Sequence, residues 1–128
     1  PALVEAFREL GVRVPLCAVL SRSAPDPDAG PGDCRVLVDP SLADLETAVL
    51  EAEVDVLVGS GLAQMAALRA GAGMVELGYP CNLTHFLAES PWYGFAGVLH
   101  LVQRVVNEWS RVRARADYEG LYPGSTGK

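Results

Sequence analysis

Apolar and polar positions follow two alternating patterns along the chain. Apolar residues three and four positions apart predict amphipathic helices at 2–10, 42–53, 62–70 and 95–113. Short β-rich runs between them predict strands at 12–20, 35–38, 54–58 and 74–77. Strands that alternate with helices are typical of an α/β domain with a mainly parallel sheet, so we expect that fold class.

Local signals sharpen several of these boundaries. Gly11 is placed to end the first helix, and Pro15 lacks a backbone donor, so pairing of the first strand should be incomplete there or begin after it. Ser41 followed by Asp44 predicts a capping-box-like start for the second helix, which should end near Glu53.

The last predicted helix has the longest apolar pattern in the chain. We expect Leu99 and Val102 to lie in the core, because they belong to a set of apolar residues at helical spacing. The set comprises Val98, Leu99, Val102, Val105, Val106, Trp109 and Val112.

The length of 128 residues, half of them hydrophobic, fits one ordinary domain. We assign residues 1–113 to that domain and 114–128 to a tail, because the helical pattern fades after Arg113. An α/β unit normally begins with a strand, whereas this chain opens on a helix at Pro1 without an initiator Met. We therefore expect it to be a piece of a longer polypeptide.

The charge of the chain narrows the classes of partner. The formal net charge is −6, and Lys and Arg cluster only at 111–115, which argues against nucleic acid or an anionic membrane as the partner. No apolar run approaches the roughly 20 residues of a membrane-spanning helix, and the first ten residues lack the basic start of a signal peptide. The pattern predicts a cytoplasmic protein with no membrane partner.

In open parallel sheets, ligands bind beyond the carboxyl ends of the strands. That rule selects three segments, at 21–33, 59–61 and 78–91. Gly59 and Ser60 lie at a predicted helix start, where free amides could hold an anion. The segment lacks both the glycine-rich dinucleotide motif and the Lys of a P-loop, so a tight turn between strand and helix is the simpler interpretation.

The segment at 78–91 carries the richest chemistry. Cys81, His85 and Glu89 are four residues apart, so in a helix they would share a face and could ligate a metal. Pro80 and a second proline at 91 bracket the run, which argues against a full helix. A structural role, with His85 hydrogen-bonded to a neighbouring loop and Cys81 packed as a small side chain, remains open. His100 falls on the polar side of the last helix and is interpreted as a surface histidine.

Residues 76–107 resemble a known family. The sequence ELGYP, a His five residues after that Pro, the run PWYGFAGV and the helix LHLVQRVVNEW are similar to the last domain of nitrogenase component 1 type proteins. That family includes the molybdenum-iron protein subunits, the scaffolds that assemble their cofactor and related reductases of tetrapyrrole biosynthesis. The resemblance extends over about residues 1–113 and implies a three-layer Rossmann-like domain with about four to five strands.

The resemblance implies a role in a two-subunit, multi-domain oxidoreductase. Its implied partners are upstream domains of the same chain, a homologous second subunit and an ATP-driven P-loop iron-sulfur reductase. It implies an iron-sulfur or iron-molybdenum-type cluster in the full-length complex, whereas this chain alone should hold no complete cluster and be inactive.

His85 is the residue to which the resemblance assigns a metal. It matches a histidine that ligates the active-site cluster in the cofactor-bearing molybdenum-iron subunit, and imidazole suits such a metal. Cys81, Ser60 and Gly59 are the other residues expected at the cofactor. Other family members lack this ligation or bind a tetrapyrrole.

Three further functions remain open at this point. The domain could serve a cofactor-assembly scaffold without catalysis, or a metal-chelate-binding module of the substrate-binding-protein type, which has a similar Rossmann-like domain. A stand-alone nucleotide-binding domain would depend on the turn at 59–61.

Overall fold

The computed structural model describes residues 2–19, 33–78 and 94–121. The chain divides into two compact units, Pro1–Val54 and Asp55–Lys128. Each unit contains two strands and two α-helices in its described part.

The first unit packs two helices with a two-stranded parallel sheet. Its elements are α1 (Ala2–Glu9), β1 (Leu16–Val19), β2 (Arg35–Val38) and α2 (Leu42–Ala52). In the sheet, Leu16 lies opposite Arg35, and the register continues to the strand ends. The buried apolar side chains of this unit are Val4, Phe7, Cys34, Ala48 and Val49.

Helix ends in the first unit follow the predicted signals. The Asp44 amide donates to Ser41 Oγ at 3.2 Å, and the Ser41 amide donates to Asp44 Oδ2 at 3.3 Å, which confirms the capping box. α2 ends at Ala52 and is capped by Glu53, whose φ of 47° is left-handed, and Gly11 has a φ of 77° just after α1. β1 begins directly after Pro15, as its missing donor predicts.

The second unit has the order strand, helix, strand, helix. Its elements are β3 (Val56–Gly59), a 3-10 turn (Gly61–Ala63), α3 (Gln64–Ala70), β4 (Gly73–Glu76) and α4 (Gly94–Leu121). β3 and β4 are parallel, with Val56 opposite Gly73 and Gly59 opposite Glu76. The crossover between parallel strands through α3 is the βαβ connection expected of an α/β fold.

α4 also closes part of the free edge of β4. The Gly73 amide donates to the Asp55 carbonyl just before β3, and the Leu77 amide donates to the Gly59 carbonyl at the end of β3, each at 2.8 Å. The Met74 amide, next to that of Gly73, therefore points away from β3. That amide donates to Glu108 Oε1 at 3.1 Å. A Cβ on Gly73 would lie 2.6 Å from Glu108 Cγ, so glycine is what allows this close approach.

The expected fold class is confirmed, but its finer description is not shown. The described residues form two parallel sheets of two strands each, rather than one sheet of four to five strands in a three-layer Rossmann-like domain. α4 also continues to Leu121, so the helix extends beyond Arg113, where the apolar pattern fades. An ion pair between Arg115 and Glu119, one helical turn apart and 2.7 Å long, supports this polar extension.

The buried face of α4 differs from the expected one. Gly97 and Leu101 are buried, whereas Leu99 is 53% exposed and Val102 is half-buried. The side of α4 that faces the sheet therefore also carries Glu108. The strongest apolar stripe of the helix does not face the sheet. Despite its length, α4 is too polar to cross a membrane, and no other helix among residues 2–19, 33–78 and 94–121 could do so.

Candidate functional site

The carboxyl ends of β3 and β4 form the candidate site in the second unit. Gly59, the last residue of β3, lies opposite Glu76, the last residue of β4, and the Leu77 amide donates to the Gly59 carbonyl at 2.8 Å. This hydrogen bond carries the pairing one residue beyond the strands. Two of the predicted site residues, Gly59 and Ser60, therefore lie at the edge where parallel sheets bind ligands.

Ser60 begins the 3-10 turn that leads into α3. Its backbone is extended (φ −73°, ψ 164°), it is half-buried, and its side chain makes no capping hydrogen bond. The Ala63 amide donates to the Ser60 carbonyl at 3.0 Å and closes the turn. These contacts are those of a tight connection between strand and helix, and they account for Gly59 and Ser60 without a ligand.

Glu76 is a site feature that the sequence analysis did not single out. Its side chain is 1% exposed and has an interaction partner, and it is the buried charged residue in the described part of the chain. Charged groups are almost never fully buried unless they are paired. The sequence feature that could have indicated Glu76 is its position, since this glutamate ends the strand Gly73–Glu76 at the carboxyl edge.

The segment that carries the predicted ligands lies between β4 and α4 in the sequence. β4 ends at Glu76 on the carboxyl edge of the sheet, α4 begins at Gly94, and Glu108 of α4 contacts Met74 near the start of β4. The chain leaves that edge at Gly78, whose φ is 89°. The carboxyl edge of β4 and the start of α4 therefore flank the segment at 79–93.

The candidate ligands in that segment lie outside the described residues. Cys81, His85 and Glu89 all fall between Gly78 and Gly94, and their predicted roles stay predictions. His100 lies in α4, where it is half-buried and has an interaction partner, rather than being a fully solvated surface histidine.

Glu108 is the best-defined electrostatic centre of the second unit. Arg111 donates to both of its carboxylate oxygens, from Nε at 2.9 Å and from Nη2 at 2.6 Å. The hydrogen bond from Arg111 and then that from the Met74 amide hold the pKa of Glu108 below its usual value, against the opposing effect of burial. The carboxylate is therefore ionised at neutral pH and acts as a structural link between α4 and β4.

Two thiols lie in the described part of the first unit. Cys34 is buried and Cys17 is half-buried, and both are free. Burial first, and then the neighbouring Cys17, raise the pKa of the Cys34 thiol. A protonated, buried thiol is a poor nucleophile and a poor metal ligand, so Cys34 is assigned to packing.

An open cleft in the first unit lies at the opposite end of its strands. It is formed where the amino ends of β1 and β2 meet the carboxyl end of α2, and Arg35 pairs there with Glu51 at 2.8 Å. Its lining residues are Arg13, Pro15, Arg35, Glu51, Ala52 and Glu53. Ligands of parallel sheets bind at the other edge, so this cleft is interpreted as a charged surface.

Metal-ligating side chains do not cluster in the described residues. Within 2–19, 33–78 and 94–121, no group of three or more His, Cys, Asp or Glu side chains could hold a metal ion. Since tetrahedral and cluster sites need three or four protein ligands, this part of the chain does not fit a complete metal centre.

Comparison with known families gives a match that covers most of the chain. The model of the family described as nitrogenase component 1 type oxidoreductase matches residues 2–110. The match includes both units and ends within α4. None of the curated proteins compared with the chain is similar enough to count as a match.

Proposed function

Because the chain belongs to the nitrogenase component 1 type oxidoreductases, we propose that it contributes one wall of a metal-cluster or substrate site in a larger reductase of that type. The wall is the carboxyl edge of β3 and β4 together with the segment at 79–93. Electrons reach the site from an iron-sulfur reductase partner.

One observation carries the proposal. The family match covers residues 2–110 and includes the segment that contains His85, and this segment follows the end of β4 at the edge where parallel sheets bind ligands. We infer that this segment contributes side chains to the site. His85 is the side chain in this segment that we assign to the metal, and Cys81 lines the same site.

The cluster itself needs residues beyond the described part of this chain. No three-ligand group is present in that part, so one imidazole from His85 would complete a ligand set supplied mainly by other domains or by a second subunit. When bound, an iron-sulfur or iron-molybdenum-type cluster would supply the redox chemistry. The role of this chain is to hold and orient one side of it.

The proposal has consequences for partners and location. Upstream domains, a homologous second subunit and a P-loop iron-sulfur reductase complete the complex, which we place in the cytoplasm. The acidic balance of the chain, with a net charge of −6, favours protein partners over nucleic acid.

A substitution in the complete complex tests the assignment of His85. The chain has two histidines, so His100→Ala is a matched control for His85→Ala. We expect His85→Ala to lower both the metal content and the reductase turnover, because one ligand is lost, while the midpoint of thermal unfolding stays near that of the native protein. Metal content is measured by elemental analysis and ligation by electron paramagnetic resonance.

The outcomes separate the alternatives. Native metal content and native turnover in His85→Ala would return His85 to a structural role. If the complex binds a cluster and transfers it to another protein, but shows no reductase turnover of its own, the protein is a cofactor-assembly scaffold. Binding of a metal chelate by the protein without any reductase partner would identify a chelate-binding module.

A further inference from the structure

An exposed apolar stripe runs along α4. Its members are spaced four, three, four and three residues apart, which is the heptad spacing of helices that pair side by side. We call this stripe the α4 seam, and it consists of Phe95, Leu99, Val102, Val106 and Trp109. Phe95 is 80% exposed, and Leu99, Val106 and Trp109 are between 40% and 53% exposed.

Among the described residues of the second unit, the seam is not the side of α4 that packs on the sheet. Leu101 and Glu108 lie on the side of α4 that meets the sheet, which is well over a quarter turn away from the seam. Patches of exposed apolar surface larger than a few hundred Å² mark interaction sites, and Phe95 and Trp109 alone expose on the order of 200 Å².

The charge pattern of α4 limits the kind of partner that fits. The positions that flank the seam carry no charge. They are Ala96, Val98, Gln103, Val105, Ser110 and Val112. Glu108 and Arg111 are paired with each other, and so are Arg115 and Glu119. The line of the seam meets a charge at Arg113, four residues after Trp109, where the guanidinium lies over the Trp109 ring. From Phe95 to Trp109 the seam and its flanks are uncharged, so this part fits an uncharged apolar helix.

We propose that the α4 seam pairs with the same seam of a second copy of this chain, in antiparallel orientation about a two-fold axis at Val102. The arrangement places Phe95 of one copy opposite Trp109 of the other and Leu99 beside Val106, so aromatic side chains meet at both ends of the seam and aliphatic side chains meet between them. A parallel pair would instead bring the two Arg113 side chains together at the end of the seam, where Arg113 lies over the Trp109 ring at 5.2 Å.

The seam is large enough for a specific interface. Full burial of two seams would remove an area on the order of the roughly 1,000 Å² that such an interface requires. This inference is independent of the proposed metal-site role, because the seam and the carboxyl edge of β4 use different residues.

Sedimentation velocity of the full chain across the micromolar range tests the proposal. We expect a concentration-dependent dimer that Leu99→Glu weakens by about a hundredfold or more, since each substitution occurs twice in a two-fold interface. Leu99→Gln is a milder variant that serves if the charged one fails to fold. The matched control is Leu68→Glu on α3, where the leucine is similarly exposed, and it should leave dimerisation unchanged.

A charge exchange tests the orientation. Phe95→Lys and Trp109→Glu each weaken the dimer, and the double variant recovers it only if the helices are antiparallel. A native chain that stays monomeric at all concentrations, or a Leu68→Glu variant as impaired as Leu99→Glu, would overturn the proposal. A double variant no stronger than the single ones would overturn the antiparallel arrangement. Circular dichroism confirms that each variant is folded.

Discussion

The carboxylate of Glu108 accepts three hydrogen bonds from two residues of the second unit. It accepts a hydrogen bond from the Met74 amide on the outer edge of β4 and two from Arg111, and its side chain is 19% exposed. An unpaired strand edge is open to further pairing, and a buried amide without an acceptor costs about 1–3 kcal/mol. At the start of β4, Glu108 covers the strand edge and gives the Met74 amide an acceptor. A side chain that points into solvent would do neither.

Glu108→Gln should lower the free energy of unfolding by about 1 kcal/mol at pH 7, because the amide keeps an acceptor for Met74 but loses its charge-assisted bonds to Arg111. The pKa of Glu108 is lower in the folded than in the unfolded chain, so this contribution is present above the ordinary carboxyl pKa of about 4.3 and is lost as pH falls through the folded value. Urea denaturation between neutral pH and pH 3 measures it.

The exposed ion pair of α4 provides the control. Glu119→Gln removes the carboxylate that pairs with Arg115 near the end of the helix, and it should cost only about 0.3–0.5 kcal/mol. The free energy of unfolding of Glu108→Gln should approach that of the native chain as the pH falls. If the difference between them does not shrink, the electrostatic account of Glu108 is wrong.

At the scale of elements, α4 is the longest helix and has a different inner face from the one that its apolar pattern suggests. Leu101 is buried against the unit, while Leu99 is half exposed. Periodicity predicts that a helix has an apolar stripe, but it does not say whether the stripe meets the helix's own sheet or another surface. Two contacts decide it here: the Met74 amide donates to Glu108, and Gly73 has no side chain to block the close approach of Glu108.

Leu101→Ala should therefore destabilise the chain by about 2–4 kcal/mol, because it leaves a cavity beside the sheet. Leu99→Ala should cost clearly less, since a side chain that is about half exposed leaves little cavity. Thermal or urea unfolding of both variants, followed by the circular dichroism signal of the helices, measures the difference. The protein concentration is kept below the range in which the chain dimerises. Equal losses from the two variants would mean that the seam is buried within the chain's own fold.

The same scale shows how far local sequence determines structure. The strand Arg35–Val38 and the helix that starts at Ser41 have the predicted bounds, because a turn residue and a capping box fix them locally. β3 and β4 are each displaced by one or two residues from prediction, because strand bounds depend on which partner residues pair. Glu76 and Glu108 were missed for the same reason, since their roles depend on contacts with distant residues.

At the scale of the whole molecule, the chain consists of two compact units, and each is built around two parallel strands. Two-stranded sheets bury little surface by themselves and need helices or further strands to become stable. The second unit meets that need with α3 and α4 and leaves apolar surface on both, at Leu68 and along the α4 seam. Membership of a family that works in multi-subunit complexes agrees with such surfaces.

The end of the folded unit can be located by truncation. The family match ends at residue 110, yet Arg111 pairs with Glu108, and Val112 would lie 3.1 Å from a Cβ on Gly73. Removal of residues 114–128 deletes an exposed helix end with the Arg115–Glu119 pair and should change the free energy of unfolding by less than about 1 kcal/mol.

Removal of residues 110–128 should cost about 2 kcal/mol more, because it also deletes the partner of Glu108 and the valine beside Gly73. Urea denaturation of the two truncated chains, compared with the native chain under the same conditions, distinguishes them. If the two truncations cost the same, the contacts of Arg111 and Val112 contribute nothing, and the stable unit ends with the family match. If the shorter truncation already costs several kcal/mol, the helix end supports the unit through contacts of its own.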